Sequence, residues 1–372
     1  MIPIDPLLKY PGQLAAFGRQ ASSLKECLPE VKRQLLQVSL GTRDQVTLDI
    51  DATVIHAKKK SADRTYKGKR GFTPMVGHIA ETSQVVHAEL RKGNVPPSAR
   101  NVEFLQHCIE ALPEGVRVSK FRADAASDQA AVINLCREQE TRFAIRAKMS
   151  QNVRGLIAEI LESEWQPVVD EDGSLSETEF LARTLHTMGE TLEAFCLVVQ
   201  KTRVPRKVKP QNPDTSAQPE QVEIAMQEQQ LNPIDGESAQ KDGYIYHAIA
   251  TDLEGLSDAE IVWWYNQRAN DSENRLKELR SNFSGPHLPG STFRANAVYL
   301  YLNGIAYNVL VLLRMKLGLK WYGNRAGTFR SRLYDMAGLI VRHSRQWVLK
   351  VNPTDRKLLD ETLWMIRTCR LL

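Results

Sequence analysis

The chain has 372 residues, 42% of them hydrophobic, so it can form two or three domains with a substantial core. No apolar run reaches the ~20 residues of a membrane helix, because the longest candidate, 297–313, is interrupted by Asn303 and Asn308. The N-terminus lacks a secretory pattern, and the five cysteines form no CxxC motif or Cys/His cluster. We therefore expect a cytoplasmic protein without a membrane span, a disulfide framework or a zinc site.

The net charge of +5 is mild, but basic residues are concentrated in two segments. Seven Lys and Arg residues lie between Lys58 and Arg70 against Asp63 alone, and nine lie between Arg314 and Lys350 against one acid. Such basic stripes either bind a polyanion or form ordinary solvated surface, and the composition leaves both interpretations open.

The hydrophobic pattern predicts an ordered series of strands and helices from residue 46 onward. After a helix at 23–38, the elements are strands at 46–55, 73–78 and 84–90, a helix at 102–111, a strand at 116–123, a helix at 128–139 and a strand at 142–147. The order β-β-β-α-β-α-β predicts an α/β protein with the ribonuclease-H-like fold, a mixed sheet with helices on both faces.

The pattern changes after about residue 150. Strands predicted at 195–204 and 244–252 bracket a tract rich in Pro, Gln, Glu and Ser, which predicts a disordered loop over about 206–243. A capping box, Ser257-Asp-Ala-Glu260, begins a helix to about Asn282, and further helices are predicted at 292–317, 328–350 and 353–372. The expected organisation is a short helical N-terminal segment (1–45), a first core part (46–149), a β-rich insertion (150–256) and a helical completion with basic C-terminal helices (257–372).

Two acids lie on the first predicted strand, Val46-Thr-Leu-Asp-Ile-Asp-Ala-Thr53. Because strand side chains alternate, Asp49 and Asp51 are expected on one face. Two carboxylates on a buried strand need a compensating partner, and a divalent metal suits clustered oxygens; the alternative is an exposed edge strand with solvated acids.

Two further acids complete a candidate site. Asp124 follows the strand at 116–123, and parallel strands carry active groups at their carboxyl ends; alternatively it caps the next helix, for which Asp128 is better placed. Glu273 lies on the predicted helix after the insertion, where a surface position is the alternative. Three such acids on this fold suit phosphodiester cleavage and transfer with two Mg²⁺ ions ~3.5–4 Å apart. We interpret His56 and His78 as structural.

These motifs together resemble the DDE transposases of bacterial insertion sequences. The resemblance extends from about Val46 to Val351, and the motifs are Asp51-Ala-Thr53, Arg122-Ala-Asp124 and Tyr265-Asn-Gln-Arg268…Glu273…Arg280. They resemble the branch with a β-rich insertion and a Tyr-x2-Arg-x3-Glu-x6-Lys signature. The resemblance implies Asp51, Asp124 and Glu273 as catalytic ligands of Mg²⁺, with Mn²⁺ as a substitute, and Asp51 rather than Asp49 as the first ligand.

The resemblance also implies DNA contacts by Tyr265, Arg268, Arg275 and Arg280. The chain departs from the signature because four residues separate Arg268 from Glu273, which gives the strict Glu position to Ser272, and because Arg280 replaces the Lys. Only 48 residues precede Asp49, whereas relatives carry a longer segment that grips transposon ends, so we expect a truncation or an alternative start.

The expected function is that of a DNA transposase, which cleaves element ends and transfers strands, in the bacterial cytoplasm at the nucleoid and as a homodimer on DNA. The alternatives are a nuclease of the same fold, a catalytically inactive remnant that only binds DNA, and a weaker candidate, a ribonuclease acting on RNA–DNA hybrids. Trp263 and Trp264 either pack the insertion against the core, the favoured interpretation, or stack on an unpaired base.

Overall fold

The structure, a computed structural model, describes residues 21–169, 173–204, 232–233, 236–268, 278, 288–318, 321, 326–335, 338–343 and 346–368. Most of the predicted loop 206–243 lies outside the described residues, as do Glu273, Arg275, Arg280 and Arg345.

The strands are β1 (Gln45–Ala52), β2 (Ile55–His56), β3 (Asp63–Arg64), β4 (Arg70–Phe72), β5 (Met75–Ile79), β6 (Val85–Glu89), β7 (Arg117–Ala123), β8 (Arg142–Arg146), β9 (Gln166–Val169), β10 (Leu175–His186), β11 (Phe195–Arg203), β12 (Asn232–Pro233), β13 (Ala239–Lys241), β14 (Tyr244–Thr251), β15 (Gly338–His343) and β16 (Gln346–Val351). The helices are α1 (Ala21–Leu40), α2 (Asn101–Glu110), α3 (Ala130–Glu138), α4 (Gln151–Glu159), α5 (258–268), α6 (Phe293–Leu317), α7 (Ala326–Tyr334) and α8 (Pro353–Thr368).

The first five core strands form one mixed sheet in the order β6-β5-β1-β7-β8. Strand β1 pairs in parallel with β7, which pairs in parallel with β8, whereas β5 is antiparallel to both β1 and β6. This arrangement is the ribonuclease-H-like sheet, so the predicted fold is confirmed. Strand β1 lies at the centre, and the edge-strand alternative is therefore wrong.

The strands between residues 166 and 251 extend the same sheet. Strand β14 pairs antiparallel with β8, and β11, β10 and β9 follow beyond it. The predicted strands at 195–204 and 244–252 correspond to β11 and β14. The β-rich segment thus continues the core sheet through main-chain hydrogen bonds.

The main hydrophobic core lies on one face of the sheet. Leu48 and Ile50 of β1 are fully buried against Phe104 and Cys108 of α2 and Ile133 of α3. This face therefore receives the even-numbered residues of β1, which leaves Asp49 and Asp51 for the opposite face.

Helix α6 is long and apolar enough to cross a membrane by length and composition alone, but half of its most apolar stretch is buried inside the protein. The Asn308 side chain accepts a hydrogen bond from Val85 N (2.7 Å) and donates one to Val85 O (2.8 Å), which joins α6 to β6. Tyr307 beside it is fully buried. These contacts identify α6 as a core helix.

The capping box at residues 257–260 is confirmed. Glu260 N donates to Ser257 Oγ (3.3 Å), and the Glu260 carboxylate accepts from Ser257 N (2.8 Å). This reciprocal pair satisfies backbone donors at the start of α5 and orients the helix as it leaves the sheet.

The helix predicted over 328–350 is wrong in its second half. Helix α7 ends at Tyr334, and β15 and β16 then form an antiparallel hairpin that pairs Arg342 with Trp347 and Leu339 with Lys350. The segment Gly338-Leu-Ile-Val favours a strand because Ile340 and Val341 are β-branched, and Gly338 disfavours a continued helix. The C-terminal region is otherwise helical as predicted, with α8 after the hairpin.

Gly77 of β5 lies where the sheet packs closely against α2, so a substitution there tests this packing. A Cβ atom at this position would lie 2.6 Å from Cys108 Sγ. We expect Gly77→Ala to lower the free energy of unfolding by about 1–3 kcal/mol through overpacking. Urea denaturation of Gly77→Ala, Cys108→Ala and the double variant measures the coupling. Because Cys108→Ala removes the clashing sulfur, the double variant should be less destabilised than the sum of the singles, and strict additivity would contradict this packing.

Candidate active site

Asp49 is a fully buried carboxylate paired with an arginine. Arg122 Nε and Nη2 donate to its two oxygens at 2.7 and 2.8 Å, and Arg122 Nη1 donates to Trp264 O of α5 at 2.6 Å. His78 Nε2, on the opposite neighbouring strand, lies 3.7 Å from Asp49 Oδ2. This bidentate pair compensates the buried charge, so Asp49 has a structural partner, and Asp51 as the metal ligand stays a prediction.

Asp51 lies two residues further along β1, at the strand end, with 23% of its side chain exposed. Burial raises the pKa of Asp51 to about 6; Arg268, whose Nη2 lies 3.6 Å from Asp51 Oδ1, opposes the rise, and the charge of Asp124 adds to it. Asp51 is thus an incompletely neutralised carboxylate that solvent can reach.

Asp124 follows the last residue of β7. The ladder places Arg122 opposite Asp49, and Asp51 and Asp124 each lie two residues further along their strands, at the same end of the sheet. Asp124 Oδ1 accepts from Ala126 N (3.1 Å) and caps the short turn Ala125–Ser127. A carboxylate accepts several hydrogen bonds, so this cap leaves Asp124 able to bind a cation.

The capping role expected for Asp128 is wrong. Gln129 is the N-cap residue of α3, and Asp128 Oδ2 instead accepts from Lys148 N at 2.7 Å, after β8. Asp128 therefore ties α3 to the loop that follows β8.

Helix α5 covers the strand ends on the face of the two acids. The Tyr265 hydroxyl donates to Ala123 O (3.1 Å), and Arg268 Nη2 donates to Ile50 O (2.8 Å). Burial alone would lower the pKa of Arg268, but nearby Tyr265 and the acids raise it overall, so Arg268 stays charged.

Glu278 is a second acid after α5, and it has a structural role. Its carboxylate accepts from Arg314 Nη1 at 3.0 Å and from the backbone N–H of Ala326 at the start of α7. Glu278 is 9% exposed, so these partners bind it within the helical region. It is therefore not an alternative to Glu273, which lies outside the described residues.

The carboxylates of Asp51 and Asp124 fit a divalent cation. Both supply hard oxygen ligands at adjacent strand ends. The pKa of Asp51 is raised first by burial and to a smaller extent by the charge of Asp124, and a bound cation would offset both effects. Among the described residues no group of three His, Cys, Asp or Glu side chains forms a metal cluster. The third acid of the sequence prediction, Glu273, lies outside the described residues.

A basic ribbon, defined as residues 55–72 with strands β2, β3 and β4, follows β1 four residues after Asp51. Lys59 Nζ anchors it by donating to the carbonyls of Leu288 and Gly290, the latter at 2.9 Å. Exposed basic side chains cover the ribbon: Lys58, Lys60, Arg64, Lys67, Lys69 and Arg70. The ribbon is thus a fixed, positively charged projection from the core.

The two tryptophans of α5 have different surroundings. Trp264 packs with the cluster around Ile261 and lies under the guanidinium of Arg122, 4.8 Å from its ring centre. Trp263 is 67% exposed. The packing interpretation is confirmed for Trp264, and base stacking remains a prediction for Trp263.

Sequence reasoning missed the partner of Asp49. Arg122 stands two residues before Asp124, as Asp49 stands two residues before Asp51, and equal spacing on paired strands sets the two pairs side by side. That spacing was the available signal. It becomes informative once β1 and β7 are known to be parallel neighbours in this register.

Topology and carboxylates define a ribonuclease-H-like protein with an acidic site at the ends of two parallel strands. The family model for the transposase DDE domain, group 1, matches residues 20–368, and the chain therefore belongs to the DDE transposase family. Among curated proteins, none matches the chain in sequence.

A solved structure of a transposase is also similar to this chain. It is the piggyBac transposase synaptic complex with hairpin DNA, at 12% identity and a TM-score of 0.40. The match covers 85% of this chain and 57% of that chain, so this chain spans just over half of the length of that transposase.

The different surroundings of Asp49 and Asp51 predict opposite effects on stability in metal-free buffer. Asp49→Asn leaves Arg122 buried without its charge partner and should lower the free energy of unfolding by about 3–5 kcal/mol. Asp51→Asn should raise it by about 1–3 kcal/mol at pH 7.5, because the folded pKa of about 6 lies above the unfolded value of 3.8 and the ionised form is penalised in the native state.

The pH dependence gives the second half of this test. The penalty develops as the pH rises from about 4 to 6, so the gain from Asp51→Asn should shrink as the pH falls from 7.5 to 5. Denaturant unfolding with EDTA at several pH values measures both variants. Destabilisation by Asp51→Asn at pH 7.5 would contradict the assignment of Asp51 as an uncompensated carboxylate.

Proposed function

We propose that this chain is a DNA transposase that cleaves element ends and transfers the freed strands by Mg²⁺-dependent phosphodiester hydrolysis and transesterification. The proposal is supported above all by Asp51 and Asp124, which lie at the ends of two adjacent strands in a chain of the DDE family. Mn²⁺ is expected to substitute for Mg²⁺, because both accept carboxylate oxygens.

In this chemistry the side chains of the protein would bind the divalent ions and position the DNA. Asp51, Asp124 and Glu273 would hold two divalent ions, which activate the attacking oxygen and stabilise the leaving one. Asp51 must be ionised to bind a cation, so its raised pKa makes cation binding weaken as the pH falls. The attacking groups are water and then the freed 3′-hydroxyl, and no side-chain nucleophile is required.

DNA is the proposed partner, and the basic ribbon is the first proposed contact surface. Its exposed Lys and Arg side chains lie on an anchored element that follows β1 directly, which would bring phosphates towards the acids. Arg275 and Arg280 are proposed further contacts beside Glu273. Arg342 on β15, Lys350 on β16 and Arg345, which lies outside the described residues, are proposed to bind phosphate non-specifically.

Two ends must be cut together in transposition, so we propose a homodimer on DNA in the bacterial cytoplasm, associated with the nucleoid. Sedimentation of the protein alone and with paired end duplexes tests this assembly. A complex that remains monomeric with two bound ends would contradict the homodimer.

Cleavage assays test the proposed chemistry. The native protein with candidate element ends and Mg²⁺ should nick DNA, and Asp51→Asn, Asp124→Asn and Glu273→Gln should each lower the rate by at least about 10³-fold. Asp128→Asn is the matched control, since Asp128 is a nearby acid bound to Lys148 N, and it should retain cleavage.

Two outcomes would favour the alternatives. Cleavage without joining of pre-cut ends would indicate a nuclease of the same fold. DNA binding that survives Asp124→Asn, with no metal-dependent cleavage by the native chain, would indicate an inactive remnant.

Removing charge from the tip of the basic ribbon tests its contact with DNA. Lys67→Gln combined with Lys69→Gln should weaken DNA binding and lower the slope of log affinity against log salt by about 2, since each lysine neutralises about one phosphate. Arg43→Gln with Arg117→Gln is the control. These exposed residues lie at the starts of β1 and β7, at the end of the sheet away from Asp51 and Asp124. Equal effects of the two double variants would contradict a DNA contact by the ribbon.

A further inference from the structure

Main-chain pairing between β1 and β7 stops before it reaches the acids. The last pair of the ladder is Asp49 with Arg122, so Asp51 and Asp124 lie two residues beyond the ladder between their strands. On its other side β1 still pairs with β5, through Asp51 and Ala52. The separation of the two acids is therefore not fixed by hydrogen bonds between β1 and β7.

Helix α5 replaces this missing pairing at equivalent points on the two strands. Arg268 Nη2 donates to Ile50 O at 2.8 Å, and the Tyr265 hydroxyl donates to Ala123 O at 3.1 Å. Ile50 immediately precedes Asp51, and Ala123 immediately precedes Asp124. Each bond therefore fixes the peptide group that carries the next residue, and one helical turn joins both strand ends.

The Tyr265 hydroxyl has no proton left for a DNA phosphate. A phenol carries a single O–H donor, and this one is used by Ala123 O. Tyr265 is 4% exposed, and the guanidinium of Arg146 lies 5.2 Å from its ring centre. A phosphate could reach the hydroxyl only after the helix had moved.

Arg268 is directed inward in the same way. It is 7% exposed, its Nη2 binds Ile50 O, and the same nitrogen lies 3.6 Å from Asp51 Oδ1. A guanidinium in this position holds the backbone before Asp51 and partly neutralises the acid. Both actions concern the carboxylates and not a ligand at the surface.

We infer that Tyr265 and Arg268 are positioning residues that set the separation of Asp51 and Asp124 for metal binding, and not the phosphate-binding residues that their signature positions imply. The inference rests on the proposed function, since it presumes that the two acids hold divalent ions. It assigns α5 the role of a brace between two strand ends.

Mn²⁺ binding to the full chain without DNA, followed by electron paramagnetic resonance, tests this inference together with DNA affinity measured by gel shift in EDTA. The variants are Tyr265→Phe, which removes only the hydroxyl, and Arg268→Lys, which keeps the charge but loses the planar fork. Each should weaken Mn²⁺ binding by roughly 10-fold, in the range found when outer-shell partners of metal ligands are removed, and leave DNA affinity within about twofold.

Two control variants distinguish a failure of this inference from a failure of the proposed function. Tyr246→Phe makes the same change at a buried tyrosine on the other face of the sheet and should leave Mn²⁺ binding unchanged. Asp51→Asn should abolish the Mn²⁺ site; if it does not, the proposed function itself is contradicted and the inference falls with it.

Loss of Mn²⁺ binding in Asp51→Asn, with none in Tyr265→Phe or Arg268→Lys, would overturn the inference alone. So would a loss of DNA affinity and a salt slope lowered by about 1, with intact Mn²⁺ binding, since that pattern identifies a phosphate contact. Thermal unfolding of each variant checks that it is folded. Should Arg268→Lys fail to fold, Tyr265→Phe, which retains the packed ring, decides the outcome.

Discussion

Strand β1 lies beside β7 in parallel, and the register between them determines which side chains reach the site together. The same register sets Asp49 opposite Arg122 and carries on to Asp51 and Asp124. The first pair is buried and mutually neutralised, whereas the second consists of two acids at the strand ends. A slip of one residue by either strand would move both of that strand's site residues to the other face of the sheet, so the buried ion pair and the acidic site depend on one another.

The two halves of this arrangement have opposite energetic characters. The Asp49–Arg122 pair is bidentate, and Trp264 O binds the remaining side of the guanidinium, so the charge is well compensated. Asp51 is compensated only in part, because Arg268 lies at 3.6 Å while Asp124 repels it. A buried carboxylate whose charge is only partly compensated is typical of functional sites, where a ligand supplies the missing charge.

The elements around the acids come from distant parts of the chain. The basic ribbon follows β1 directly and is held by Lys59 at residues 288 and 290. Helix α5 leaves β14, whose pairing with β8 continues the core sheet, and it returns over the ends of β1 and β7. The β-rich segment thus does more than interrupt the core, because its last strand sets where α5 begins. Membership of the DDE family agrees with this arrangement of a ribonuclease-H-like sheet and an acidic end.

The sequence by itself determined the order of the core strands and helices along the chain and the capping box at Ser257. It also determined that the two acids share one face of β1 and that Asp124 lies at a strand end. These features depend on local period and on residue type, which a linear pattern contains. Only the tertiary structure decided that Asp49 pairs with Arg122, that Asp124 and not Asp128 caps the next turn, and that residues 338–351 form a hairpin. Arg122 lies 73 residues from Asp49 in the chain, and a contact at such separation depends on which strands become neighbours. The hairpin was missed because a short apolar run fits either period, so tertiary pairing selected between them.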